Sequence, residues 1–297
     1  MNLPTAGRPG ALGTKMPNQS GNAATASPER QYALNMNTSG TGEPTVFLHG
    51  LVSSHRYWGK TIEKVNGRTC HAVDLLGFGD SPKPDNSSYS IDQQVDSLHF
   101  TLKNESVAVP FTLVGHSMGA LVAVRYAAKY PDQVDKLVIC NTPLFVGTND
   151  KSKAIISSDI APRFIVKGRI AKFICMSAHR VPFLKELLRF LPHKLPASVK
   201  ADMLKHTWNS YSRSLENLIE KYNPAADLST VKVPILALIG GKDSITTTFI
   251  ADIVLPDSVT KIKLPEANHH IPIFNTDDLV STINEPTSVT KMKRQPV

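Results

Sequence analysis

The sequence predicts an α/β fold: a mostly parallel central sheet flanked by helices, with a helical insertion between its two halves. Three observations carry this. Short apolar runs alternate with helical patterns from about residue 45 to 145, as in a buried parallel sheet whose strands are joined by crossover helices. The alternation resumes at "VPILALIGG" and continues to "NTDDLVSTINE". In between, residues 146–215 mix apolar and basic residues at helical spacing and hold no clear buried strand. The 297 residues are enough for one large domain carrying an insertion.

The elements follow in order. Residues 1–30 are rich in Gly, Pro, Ser, Thr, Asn and Ala without periodicity, and read as a disordered N-terminal segment. They lack the apolar stretch of a secretory signal. Residues 31–37 read as a strand and "SGTGEP" as a turn. "TVFLH" is the short apolar run of a buried strand. "RTCHAVDLLGFGDSPKP" reads as a strand and a Gly/Pro-rich loop. In "SIDQQVDSLHFTLKN", Ile91, Val95, Leu98 and Leu102 share one helix face, with Ser90 as N-cap. "FTLVGH" is a strand, "MGALVAVRYAAKYP" a helix ending before Pro131, and "VDKLVICNTP" a strand. Later, "VPILALIGGKDS", "FIADIVLP", "VTKIKLPEANHH" and "NTDDLVSTINE" read as strand, helix, strand and helix. The core is thus expected over 31–145 and 216–285, the insertion over 146–215, and a flexible basic tail over 286–297.

Composition narrows the class. Hydrophobic content is 41%, ordinary for a globular chain, and no apolar run approaches the ~20 residues of a membrane span. Three cysteines, Cys70, Cys140 and Cys175, are odd in number and fit no zinc spacing. They read as buried reduced thiols, and a cytoplasmic location is expected. The net charge is +8, and Lys151–Lys205 holds twelve Lys or Arg against three acids. No groove-reading or stacking motif accompanies this charge, so nucleic acid is not an expected partner. A basic insertion instead suits a solvated face, an anionic substrate or weak contact with an acidic membrane surface. No phosphate loop, dinucleotide fingerprint or metal-ligand spacing occurs, and no cofactor is expected.

The chemistry centres on "FTLVGHSMGALVAV". A serine hydroxyl is a weak nucleophile and needs a base, an acid that orients the base, and donors for the oxyanion. Gly-x-Ser-x-Gly between a strand and a helix lifts Ser117 clear of the sheet at the helix N-terminus. The amide of Met118 is then one oxyanion donor. The loop "HGLVSSHRYW" follows an early strand and offers the amide of Leu51 as the second. His49 and Gly50 shape that loop. Asp243, after the strand "ILALIGG", is the candidate acid. Asp227 and Asp252 are weaker rivals because neither sits at a clear strand end. Two adjacent histidines, His269 and His270, end the last strand, and one is the candidate base.

These residues resemble the α/β-hydrolase superfamily, in particular its helical-capped esterases and carbon–carbon bond hydrolases. "FLHGLVSSHRYW", "AVDLLGFGDSPKP", "LVGHSMGALVAVRYAAKYPDQVDKLVICNTP", "PILALIGGKDSI" and "PEANHHIPIFNTDDL" occur in that family's order over about residues 31–285. The resemblance implies that 146–215 is a cap over the site. It favours His269 as base, because "PEANH" and "NTDDL" then keep the family spacing, with His270 as the alternative. Asn268 replaces a usual glycine. Phe274 stands where many members carry a glutamate that braces the histidine loop. A serine rather than an aspartate at the elbow implies acyl transfer to water. The expected function is cleavage of a carboxylic ester or related acyl bond on a small-molecule substrate. The alternatives are carbon–carbon cleavage on the same triad, and a ligand-binding receptor with little turnover.

Overall fold

The computed structural model describes residues 29–145, 172, 195–246 and 248–286. Seven strands form one sheet in the order β1-β3-β2-β4-β5-β6-β7: β1 (Met36–Gly40), β2 (Glu43–Leu48), β3 (Arg68–Val73), β4 (Phe111–His116), β5 (Val134–Cys140), β6 (Ile235–Gly240) and β7 (Val259–Leu264). Among the described residues only β1 pairs antiparallel, against β3; every other pairing is parallel. This is the α/β-hydrolase architecture. All six residues of β4 and of β6 are buried; β6 accordingly reads as an apolar run, and β4 as a mostly apolar one with Thr112 and His116 buried in it.

The helices are α1 (Gly59–Lys64), α2 (Ile91–Asn104), α3 (Met118–Lys129), α4 (Ala197–Asp202), α5 (Trp208–Arg213), α6 (Ala225–Thr230), α7 (Thr248–Val254), α8 (Ile271–Phe274) and α9 (Thr276–Asn284). As expected, Ser90 caps α2, its hydroxyl accepting from the Gln93 amide. One apolar layer joins Val46, Leu48, Leu113 and Ile139 to α2 and α3. The other joins Phe47, Val114, Val138 and Leu238 to Trp58, Ile271, Leu279 and Ile283. Alternate residues of each strand thus feed opposite faces. Cys70 and Cys140 are buried free thiols.

The first strand lies later than residues 31–37. The backbone at Tyr32 and Leu34 bonds instead to the Ser97 and Thr101 hydroxyls of α2. The strand falls on "MNTSG", four of whose five residues are exposed. An edge strand needs no apolar pattern, so composition did not mark it.

Chain order places the site. The chain passes from β2 outward to β3, then returns across β2 to β4. The crevice beyond the carboxyl ends of β2 and β4 is the topological switch point, where open parallel sheets hold ligands. At the opposite end, two cations grip the last turn of α9. Lys136 Nζ donates to the carbonyls of Ile283 (2.5 Å) and Glu285 (2.7 Å). Arg68 donates to the Ile283 carbonyl at 3.0 Å and the Asn284 side chain at 3.2 Å. Positive charge at a helix C-terminus is favourable.

The expectations for residues 146–171 and 173–194, including Cys175 and most of the basic insertion, lie outside the described residues, as do those for 1–28 and 287–297. The expected boundary between 215 and 216 falls inside a continuous helical stretch, α5 followed by a π-helical run over Ser214–Glu220. Helix α4 is fastened to the turn after β2. Asp202 accepts from Ser54 Oγ (2.5 Å) and from Arg56 through both carboxylate oxygens (2.9 and 2.8 Å), with Lys205 at 3.0 Å. Burial alone would raise the Asp202 carboxyl; the bonds from Ser54, Arg56 and Lys205 outweigh it and hold it below the usual range.

Candidate active site

Ser117 sits between β4 and α3 with φ 52° and ψ −120°. An L-residue rarely adopts this backbone, and such strain gathers at functional turns. The flanking glycines are steric necessities. A Cβ on Gly115 would lie 2.6 Å from the backbone of Ala120, and one on Gly119 would lie 2.2 Å from the Leu48 carbonyl oxygen. The turn is therefore wedged against the end of β2, and Ser117 is 6% exposed.

The loop after β2 passes beside it. A Cβ at Gly50 would stand 3.2 Å from Ser117 Cβ. Among the described residues, neither the Leu51 nor the Met118 amide donates a hydrogen bond. Met118 directly follows the serine, and Leu51 follows the glycine that packs against it. Val52 has φ 52°, an uncommon state for a β-branched residue and a sign that this loop is held under strain. His49 is fully buried; its Nε2 accepts from the Leu75 amide at 3.0 Å and its Nδ1 bonds the Gly50 carbonyl at 2.7 Å. Burial pushes its pKa down. Both ring nitrogens are thus engaged, one with the loop's own backbone and one with the Leu75 amide after β3.

Asp243 and His269 meet. His269 Nδ1 lies 3.1 Å from each oxygen of the Asp243 carboxylate. A carboxylate only accepts, so Nδ1 carries the hydrogen toward Asp243 and leaves Nε2 facing away from it. Asp243 Oδ1 also accepts from the Ile245 amide at 2.9 Å. His270 has another partner: its Nδ1 lies 2.9 Å from the Tyr57 hydroxyl. Its pKa falls to about 4, through burial first and the neighbouring His269 second. Asp227 is engaged by Arg125 and Tyr222, and Asp252 by Lys263; among the described residues neither is bonded to a histidine. Among the described residues the Ser117 hydroxyl makes no hydrogen bond. Catalytic bonds are often long in unliganded enzymes and tighten on substrate binding.

The brace on the histidine loop comes from residues that sequence reasoning missed. Phe274 is 40% exposed. Asn141, at the end of β5, donates to the Asn268 carbonyl (2.9 Å) and accepts from the Gly240 amide (2.8 Å). One buried amide thus ties the acid-bearing and base-bearing loops together. His116 Nε2 lies 2.7 Å from the His269 carbonyl. These partners are about a hundred residues or more apart in sequence, so no local pattern marks them.

His55, Asp74 and Asp80 place ligand-type atoms within 4.8 Å of one another. Their chemistry does not suit a cation. The Asp74 oxygens already accept from four N–H groups, and Asp80 is paired with Arg56 and Lys205.

Five histidines shifted downward in pKa by burial give a signed pH effect: His49, His71 and His116 are buried, and His99 and His270 partly so. Below about pH 6.5 the unfolded chain takes up protons that the folded chain refuses, so stability is complete above that pH and falls on acidification. For His270 the window runs from about 6.5 to about 4, worth ~3 kcal/mol in full. Urea unfolding at pH 7 and pH 5 is expected to show a loss at pH 5 that His270→Gln makes smaller. An equal loss in the variant would remove His270 from this account.

Residues 43–168 match a family model described as the alpha/beta hydrolase fold. The chain is 27% identical over 201 residues to "Probable lysophospholipase BODYGUARD 5" of Arabidopsis thaliana, covering 60% of this chain but 45% of that protein. It is 27% identical over 234 residues to "Lipase 3" of Moraxella sp. (strain TA144), covering 75% of this chain and 70% of that protein. A thermophilic esterase from Thermogutta terrifontis superposes with a TM-score of 0.65 at 20% identity, over 85% of this chain and 92% of that one. The chain thus spans less than half the length of the plant relative and most of the bacterial ones.

Proposed function

Because this chain belongs to the α/β-hydrolase superfamily, we propose that it is a serine hydrolase cleaving carboxylic esters through Ser117, His269 and Asp243. The observation that carries the reading is the Asp243–His269 pair, both oxygens at 3.1 Å from Nδ1, in the crevice that also holds the strained Ser117 turn. The names of the relatives, a lysophospholipase, a lipase and an esterase, bring the ester class to this chain.

The mechanism follows from the atoms. Ser117 Oγ attacks the ester carbonyl while His269 Nε2 takes its proton. Asp243 holds the ring with Nδ1–H toward itself and stabilises the imidazolium. The carbonyl oxygen, now an anion, is met by the Leu51 and Met118 amides at the N-terminus of α3. Collapse expels the alcohol, which receives the proton from His269. Water, deprotonated by His269, then releases the acid and frees Ser117.

A panel of p-nitrophenyl esters from acetate to palmitate tests the class. Turnover is expected on at least part of the series, lost in His269→Gln. Wild-type and His269→Gln chains that are equally inactive on every ester, yet bind them, would favour a receptor.

A further inference from the structure

His116, the residue before the nucleophile, is a buried ring with one used nitrogen and one orphan. Nε2 lies 2.7 Å from the His269 carbonyl oxygen, a bond only an N–H can make, so Nε2 carries the hydrogen. Nδ1 is then a lone pair, and it has no partner among the described residues. It lies 3.1 Å from where a Cβ on Gly50 would stand. One face of the ring stacks on Tyr57 at 4.9 Å and 26°, and the ring tilts against His269 at 4.9 Å and 59°. Burial, then the neighbouring His269, keep it far below the ordinary histidine range and hence neutral.

An orphan acceptor in a dry site is costly, whereas a phenyl ring of the same shape would fill the space without that cost. What the imidazole alone supplies is the Nε2–H bond. That bond links the residue covalently joined to Ser117 with the backbone of His269.

We infer that His116 is a positioning residue: its Nε2–H, held by the His269 carbonyl, sets the register between the strand end that carries the nucleophile and the loop that carries the base. The inference rests on the proposed roles of Ser117 and His269. Asn141 holds the adjacent Asn268 carbonyl in the same way, so two successive carbonyls of the histidine loop are pinned to the ends of β4 and β5. Small displacements at such a site reduce rate strongly because attack requires near-contact geometry.

The test compares His116→Phe, His116→Gln and His116→Asn in the full chain. It reads kcat and KM on a turned-over ester, the rate of labelling by a fluorophosphonate, and the melting temperature. Gln places an amide N–H near the position of Nε2; Asn is too short, and Phe keeps the Tyr57 stack without the donor. The expected result is a fall in kcat of ~10–100-fold in Phe and Asn, with KM within about threefold and the labelling rate falling in parallel. Gln is expected to recover most of the loss. A packing role predicts the reverse order, Phe at least as active as Gln, and that result would overturn the inference. If His116→Phe does not fold, Gln no better than Asn overturns it equally. A wild-type chain that labels normally while this order fails sinks the positioning role alone; a wild-type chain that does not label sinks the proposed function and this inference together.

Discussion

Ser117→Gly is expected to lose at least ~10³-fold in kcat/KM while becoming more stable by ~1–2 kcal/mol. Both effects come from one residue. Its hydroxyl is the proposed nucleophile, and its φ of 52° is a backbone state that glycine adopts without strain. Ser117→Ala separates the two: it loses the same activity but keeps a Cβ, so it gains no comparable stability. Ester turnover and urea unfolding of the three chains check this. Equal stability of Gly and Ala variants would mean that the turn stores no strain, and persistent turnover in either would remove Ser117 from the chemistry.

Asp74→Ala is expected to cost ~3–5 kcal/mol, the range for removing one partner of a buried charged network. The Asp74 side chain is fully buried. It accepts from the His55 amide (2.6 Å), His55 Nδ1 (3.0 Å), the Asp80 amide (2.8 Å) and Asn35 Nδ2 (2.8 Å). Burial alone would raise its pKa; His55, His49 and the two amides outweigh that and hold it well below the usual carboxylate range. Alanine would strand these donors in the dry. The network also explains Gly79, φ 51°, where a Cβ would fall 2.4 Å from both Asp74 oxygens. Because His55 opens the turn that follows the Leu51 loop, activity should fall with stability. Urea unfolding measures the cost, with Lys242→Ala as control. That residue pairs only with exposed Glu266 among the described residues, and its loss should move stability by less than about 1 kcal/mol. Equal small changes in both would show that Asp74 is not a hub.

The parts of the fold that were legible in sequence are those where burial writes itself into composition. β4 and β6 read as strands because every residue in them is buried. β1 did not, because an edge strand of polar residues carries no such pattern. The short α1 was missed for a related reason: six residues with one buried side chain, Thr61, are held by packing rather than by an amphipathic stripe. At the site, Ser117 and Asp243 stood out because the first directly follows an apolar strand and the second follows another after a short glycine turn. His269 and His270 could be ranked but not separated by the residues alone; space separates them, because Asp243 reaches the first and Tyr57 the second. Asn141 and His116 were illegible as braces, since their partners are brought together only by the sheet.

The central claim is that Ser117 is an activated nucleophile. Its most direct test is reaction of the folded full chain with a fluorophosphonate, followed by mass spectrometry of the modified peptide. A fluorophosphonate modifies a serine whose base and oxyanion donors are assembled. The account predicts one adduct, on Ser117, absent from Ser117→Ala and strongly slowed in His269→Gln. A folded wild-type chain that forms no adduct, or forms it on another serine, would contradict it.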